Sequence, residues 1–550
     1  MRGPLKRLWD SVNSHLQFYY KKNAVPTQRQ AFVRFSAYVR GMDLTGLDNN
    51  LTPDAFQNRV KSAVFWRSGT QILAQMISWT ATLAVIRILE PSDYGLFAMT
   101  AVVLAFLNFL NGYGFVSALI QSDQVDPTRV RQAFGMLILL NGALASIQFF
   151  ALAPLAAAYY EEQLIADMLR WQSLIYLSTP FLILPEAMLM RNLDFKRPAI
   201  INLLTAAVGA TVSLILALND YGVWTLVCAP ISMFWCRAIL LTVSTRFLVK
   251  PSFDFRGSGN MFGFGMALLA AQAFFIMQSQ SDIFIAGRHF DAHDLGLYAE
   301  ALFLTQLFAV KFVPPLNEVA FPAYARLQDN RPALTLGFLK AVRLVMLVAC
   351  PLYLGMAISA EPFVETLMGP KWIEAARLVA TLALAMPFLT LQILFAPALN
   401  AVGLPRLPLH INFAGALIMP VTYLIAIRYG AQGLAVGWLI SVPLLLAFTI
   451  RKAKQHIGFT SAQLAQAVLP GLAAATVMAV VTWAADYALI TYVWRDMPAP
   501  LHLAVLTLTG GFSYIALLWF GSRQTALEVI NLMIRRTPQT ELKPSTSQSR

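Results

Sequence analysis

From residue 64 to residue 521 the chain is a succession of apolar runs separated by short polar connections. They lie near 64–89, 93–120, 130–157, 168–190, 198–218, 223–246, 260–286, 294–324, 334–359, 373–399, 407–428, 432–450, 465–487 and 500–521. A run of about 20 apolar residues matches the hydrocarbon thickness of a bilayer, whereas a barrel strand needs only about 10. Inside hydrocarbon the backbone must satisfy its own polar groups, so runs of this length can only be helices. Composition agrees: 57% of residues are hydrophobic and 13% charged, against about a quarter charged in soluble domains. The fold class is an all-α polytopic membrane protein with about fourteen transmembrane helices.

Loop charge sets the orientation. The even-numbered connections carry Arg129, Arg131, Arg191, Lys196, Arg197, Arg246, Lys250, Arg256, Arg326, Arg331, Arg406, Arg451, Lys452 and Lys454. The odd-numbered ones carry only Arg87, Arg288, Lys371, Arg428 and Arg495, among many acids. Excess Lys and Arg mark the cytoplasmic side, so both termini are expected in the cytoplasm. The net charge of +13 is thereby assigned to a membrane topology and not to nucleic acid. Cys228, Cys236 and Cys350 all lie in apolar runs without metal-ligand spacing, and read as packing residues. No metal or cofactor is expected.

One external turn occurs twice. Arg87-Ile-Leu-Glu-Pro-Ser-Asp-Tyr-Gly-Leu-Phe-Ala98 reappears as Arg288-His-Phe-Asp-Ala-His-Asp-Leu-Gly-Leu-Tyr-Ala299. Gln71 and Gln272, Pro180-Phe-Leu182 and Pro387-Phe-Leu389, and Tyr221-Gly222 and Tyr429-Gly430 extend the correspondence. Two six-helix pseudo-repeat lobes with two additional C-terminal helices follow. Six is even, so the lobes share one orientation, as in transporters that rock two bundles about a central site. The expected divisions are a basic cytoplasmic tail (1–57), an N-lobe (58–250), a C-lobe (251–455), the last helix pair (456–522) and a C-terminal cytoplasmic tail (523–550).

No Walker loop, dinucleotide fingerprint or nucleophile elbow is present in the sequence, so the chemistry to look for is charge inside spans, which is costly unless it is paired or faces water. Lys311 lies near the middle of the eighth run. Glu318 is two turns on, beyond a break expected at Pro314-Pro315. The pair is either a packing ion pair or a cavity cation for an anionic substrate, with Glu318 as partner or proton carrier. Arg237 is either a cavity cation or an interlobe packing partner. Arg67, Gln71, Gln75, Ser78 and Thr82 form one polar stripe on the first helix, best suited to a cavity wall. Asp282 either pairs with Arg288 at the outer mouth or belongs to an ion-coupling site. Glu186 and Arg343 read as interfacial. Arg87, Asp93, Arg288 and Asp294 sit in the repeated turns, where they cap the helices and form the rim of an outward gate.

Over residues 60–460 the chain resembles the Wzx-type flippases of the polysaccharide transport branch of the MOP exporter superfamily. The resemblance rests on the turn Arg87–Ala98, Gly112-Tyr-Gly114, Ala118-Leu-Ile-Gln121, Arg191-Asn-Leu-Asp-Phe-Lys-Arg197, Tyr221-Gly-Val-Trp224, Asp282-Ile-Phe-Ile-Ala-Gly-Arg288, Phe321-Pro-Ala323 with Arg326-Leu-Gln328, and Gly369-Pro-Lys-Trp372. It implies a transporter that moves undecaprenyl-diphosphate-linked oligosaccharide repeat units across the bacterial inner membrane, for exopolysaccharide, capsule or O-antigen. Lys311, Arg237 and Arg67 suit the diphosphate charge, and Asp282 and Glu318 are the carboxylates for coupling to an ion gradient. Membrane lipid, a polysaccharide polymerase and other export machinery are the implied partners. A lipid II flippase and a drug/cation antiporter of the same superfamily are the nearer alternatives. A polysaccharide polymerase is the enzyme alternative, and the large external loop it would need is missing from the sequence.

Overall fold

The structure is a computed structural model that describes residues 53–111, 127–191, 194–246, 249–254, 259–404, 406–494 and 497–521. Residues 1–52 of the expected N-terminal tail, the whole C-terminal tail, the Gly112-Tyr-Gly114 and Ala118–Gln121 motifs and the side chains of Arg67 and Gln272 lie outside the described residues, while 53–57, expected in the tail, already belong to the first helix.

The first lobe comprises α1 (Pro53–Ile88), α2 (Pro91–Phe109), α3 (Pro127–Ile147), a π-helical turn (Gln148–Leu152), α4 (Ala153–Tyr160), α5 (Gln163–Gln172), α6 (Leu174–Arg191), α7 (Lys196–Leu218) and α8 (Trp224–Thr245). The second comprises α9 (Gly259–His289), α10 (Ala292–Lys311), α11 (Val313–Arg326), α12 (Arg331–Ile358), α13 (Ala360–Leu367), a 3-10 turn (Pro370–Trp372), α14 (Ala375–Ile393), α15 (Phe395–Ala401), α16 (Arg406–Ala426) and α17 (Gly430–Ile457). Then come α18 (Ser461–Ala488) and α19 (Ala499–Gly521). Eleven stretches of the described residues are long and apolar enough to cross a membrane, and Leu407–Ile457 contains both α16 and α17. The expected fourteen exceeds that number. α2 and α9 are not among the eleven, and both adjoin residues or side chains that are not described.

Packing repeats from lobe to lobe. In the first, α7 packs on α1 and α8, and α8 on α6; in the second, α16 packs on α9 and α17, and α17 on α14. The duplicated Tyr-Gly pair also acquires a physical reason: Gly222 and Gly430 have φ of 53° and 72°, a left-handed conformation that a side chain disfavours. The lobes meet along α2 and α10, with α2 also against α9. The appended α18 lies along α12, where Gly471 brings it to the Met346 and Leu347 backbone, and α19 packs on α18 and α13. One apolar core runs through these units, joining Leu89 and Tyr94 of the first lobe to Leu297 and Trp372 of the second and Met478 of α18.

The eighth run breaks where its prolines demand. α10 ends at Lys311 and α11 starts at Val313, with proline in its first turn, where the missing N–H is not needed. Asn317 Nδ2 donates to the Ile393 carbonyl oxygen (3.2 Å), which tethers this break to the junction of α14 and α15.

Candidate functional site

The repeated turns are the starts of helices. The Glu90 N–H donates to Asp93 Oδ2 (3.1 Å), and Asp291 Oδ1 accepts from the Asp294 N–H (2.8 Å). These carboxylates serve N–H groups that a helix start leaves without partners. Asp93 Oδ1 also lies against Gly222 of the α7–α8 connection, so it ties two loops of one lobe together. Asp294 is exposed.

Each turn is held by the other lobe. Arg87 donates through Nη2 to the Thr366 carbonyl oxygen and through Nε to that of Leu367 (3.2 Å). Those oxygens end α13, where a helix has spare acceptors and a negative dipole end. In return, Trp372 Nε1 donates to the Ile86 oxygen (2.9 Å) and Lys371 Nζ to that of Ile88 (3.1 Å), both at the end of α1. Lys371 also pairs with Glu90 (2.6 Å), and the fully buried Trp372 meets the Tyr94 ring edge-on at 5.4 Å. On the twofold-related side Arg288 pairs with Glu161 of the first lobe (2.6 Å), and Phe284 stacks on Tyr159 at 4.6 Å. The Arg288 guanidinium holds the Glu161 carboxyl below the usual carboxylate range. Between these clamps the backbones touch: a Cβ on Gly95 would overlap the Ala292 carbonyl oxygen, and one on Gly296 that of Pro91. Small residues at such a crossing allow close helix approach. All of these interlobe contacts lie at the end that loop charge assigns to the outside, so the lobes are closed there.

The remaining residues divide into paired and unpaired. Arg237 on α8 is committed to Glu186 on α6 within the same lobe (2.7 Å), with side chains 29% and 18% exposed. This settles the partner of Arg237 as intralobe, and makes Glu186 an ion-pair residue inside the bundle. Asp282 is fully buried and does not pair with Arg288. Its Oδ2 accepts from Tyr298 Oη (2.9 Å) and Trp438 Nε1 (3.2 Å), while Oδ1 has no partner among the described residues. The network joins α9, α10 and α17. Lys311 and Glu318 are both exposed, and the described residues form no ion pair with either. On α1, Gln71 is exposed with its Oε1 accepting from Asn202 Nδ2 (3.4 Å), and Gln75 is half-buried. Among the described residues no group of His, Cys, Asp and Glu can hold a metal.

Sequence reasoning passed over Glu300, Glu161, Tyr298 and Trp438. Tyr298 belongs to the repeated turn and Glu300 follows it directly, so proximity to that motif was the available signal. Glu161 and Trp438 find their partners only through the fold.

A family model described as "Polysaccharide biosynthesis protein" matches residues 84–377, more than half of the chain. The chain belongs to that family. This polysaccharide biosynthesis family protein is 23% identical to the succinoglycan biosynthesis transport protein ExoT of Rhizobium meliloti over 69% of its own length and 76% of the relative's. It is 22% identical to the teichuronic acid biosynthesis protein TuaB of Bacillus subtilis over 77% and 88% of the two chains, and 20% identical to the lipopolysaccharide biosynthesis protein WzxC of Escherichia coli over 58% and 65%. Its fold is that of the lipid II flippase MurJ in an inward closed conformation, with a TM-score of 0.67 at 13% identity over 84% of this chain and 99% of that one. An inward-facing multidrug MATE transporter of the MOP superfamily gives 0.55 at 12% identity over 70% and 98%.

Proposed function

We propose that this family member is a flippase that carries undecaprenyl-diphosphate-linked oligosaccharide repeat units from the cytoplasmic to the outer face of the bacterial inner membrane, by alternating access of its two lobes. A diphosphate bearing sugars cannot cross hydrocarbon unaided, and it needs a wet, cationic path. Lys311 is the observation that carries the reading: a cation at mid-span, exposed and without an anionic partner among the described residues. It sits at the end of α10 beside a helix break, on the element through which the two lobes meet. Arg237 contributes a positive rim tempered by Glu186, and Gln71 and Gln75 offer hydrogen bonds to sugar hydroxyls. Arg67 extends the same stripe.

In the closed arrangement of the outer turns, Arg87, Asp93, Arg288 and Asp294 are gate residues, and the cavity opens toward the cytoplasm. Asp282 belongs to the ion-coupling site, because its Oδ1, without a partner among the described residues, lies in a network that spans three helices, and Glu318 is a second carboxylate on the cytoplasmic half-helix. A polysaccharide polymerase and other export machinery receive the flipped unit. A mid-span Lys311 without an anionic partner among the described residues favours an anionic cargo over the cationic substrates of a drug antiporter.

The test is complementation. Lys311→Ala at wild-type abundance is expected to lower polymer export at least tenfold while Lys311→Arg retains most of it. Full export by Lys311→Ala contradicts the reading.

A further inference from the structure

Glu300 is a carboxyl inside the span Ala292–Arg326. Glu300 lies one helical turn below Gly296 on α10. Positions i, i+4 and i+11 from Gly296 onward, and i+7 from Glu300, fall on one helix face. Gly296, Glu300, Leu307 and Lys311 therefore share a stripe. Its head is the contact with Gly95 and Pro91 that closes the outer end. Its foot is Lys311, about 16 Å down the axis from Glu300 at ~1.5 Å per residue, too far for an ion pair. Leu297, Tyr298, Ala301 and Leu302 on the other faces of α10 are buried, whereas Glu300 is only half-buried. Glu300 thus stands on the interlobe stripe, one turn under the seal.

Among the described residues nothing nearby neutralises it. From α2 come Asp93, turned to Gly222, and Tyr94, whose hydroxyl is in electrostatic range of the Glu300 carboxyl. From α9 come Asp282, held by Tyr298 and Trp438, Arg288, held by Glu161, and His289, bonded to the Ile285 oxygen (2.9 Å). α14 brings Arg377, exposed in its first turn, α11 brings Glu318 and Arg326 beyond the break, and the charged groups of α17 lie at its opposite end. Among the described residues Glu300 has neither hydrogen bond nor ion pair. The equivalent position in the first copy of the turn is Met99, which is buried. The duplicated frame therefore carries this carboxyl in one lobe only.

We infer that Glu300 is a proton-carrying residue that couples transport to the proton gradient, through its place between the outer seal and the cavity. With the outer turns parted, its carboxylate takes a proton from the external water. With them closed, it releases that proton to the cavity on the cytoplasmic side. Only an O–H bond forms and breaks, and one proton enters for each lipid-linked anion that leaves. Unlike Asp282, which already accepts two hydrogen bonds, Glu300 accepts none among the described residues. The inference rests on the flippase reading, and its test separates the two.

The protein in lipid vesicles is given a fluorescent prenyl-diphosphate-linked N-acetylglucosamine and a one-unit pH step. One proton per cycle shifts the equilibrium distribution of the probe about tenfold for that step. Wild type and Glu300→Asp are expected to accumulate it so, whereas Glu300→Gln equilibrates the probe without accumulation. Accumulation by Glu300→Gln equal to wild type overturns the inference. A second measurement needs no transport: pH-difference infrared spectra of the purified proteins in nanodiscs. A titrating carboxylic-acid band present in wild type and absent in Glu300→Gln supports the inference, and an unchanged band overturns it. Wild type that does not move the probe at all contradicts the flippase reading, while the infrared comparison still decides Glu300.

Discussion

Gly296→Ala is the sharpest probe of the closed outer end. A Cβ at Gly296 would stand 2.6 Å from the Pro91 carbonyl carbon and 3.0 Å from the Gly95 nitrogen. Carbon atoms pack at about 3.5–4.0 Å, so α2 and α10 must separate by roughly 1 Å or more at the crossing. The obstacle is backbone on a helix, which cannot rotate away as a side chain would. Separation strains the flanking clamps. Each hydrogen bond there contributes about 1 kcal/mol net, so weakening the Trp372–Ile86 and Arg87–Leu367 contacts together costs about 2 kcal/mol, roughly a 30-fold shift toward the parted state. The assay uses a cysteine at Phe303, an exposed position on α10 below the seal, and a membrane-impermeant maleimide supplied from outside. The parent protein should be protected, and Gly296→Ala should label at least ten times faster with unchanged abundance and thermal stability. Equal labelling in a folded variant would refute the argument that this crossing seals the outer end.

Other perturbations follow from the same geometry. Arg237→Ala leaves Glu186 charged and unpaired; because both side chains keep some exposure, the cost falls below the 3–5 kcal/mol of a fully buried pair, at about 1–3 kcal/mol. Restored thermal stability in Arg237→Ala/Glu186→Ala would confirm the pair, and no change in the single variant would deny it. Neutralising Arg87 and Arg288 together should impair export less than Lys311→Ala, measured as polymer at equal protein abundance, since the outer clamps hold a gate and not the cargo. For pH the sign is set by Glu161: its carboxyl titrates lower when paired with Arg288 than when free. The pair therefore supports the closed state above the ordinary carboxylate range, and that support fades as external pH falls through the lowered value. External labelling of the Phe303 cysteine, taken relative to a cysteine that is always exposed because the reactive thiolate is lost on acidification, should rise as pH falls, and Glu161→Gln should show the high ratio at every pH.

Much of this architecture was legible in the sequence because it depends on local chemistry. Apolar runs of span length, prolines at 314 and 315 and acids at helix starts act within a few residues of themselves. The duplication was legible for the same reason, since the turn Arg87–Ala98 keeps its capping and glycine positions in both copies. Partners were not legible. Arg87 finds the end of α13, Trp372 finds the end of α1 and Arg237 finds Glu186 because separate helices pack side by side. Asp282 and Arg288 stand close in sequence, yet Asp282 turns inward to Tyr298 and Trp438 while Arg288 crosses to Glu161. Glu300 was hidden by its place in a helix whose charge pattern drew notice only at Lys311.

The central claim is that the protein moves a lipid-linked oligosaccharide to the outer leaflet. The most direct measurement is the leaflet location of undecaprenyl-diphosphate-linked repeat units in cells lacking the gene, read by accessibility to an impermeant sugar-modifying enzyme in oriented membrane vesicles. Accumulation on the cytoplasmic leaflet, relieved by the wild-type protein and not by Lys311→Ala, is the predicted result. Repeat units that reach the outer leaflet at the normal rate without the protein would contradict it.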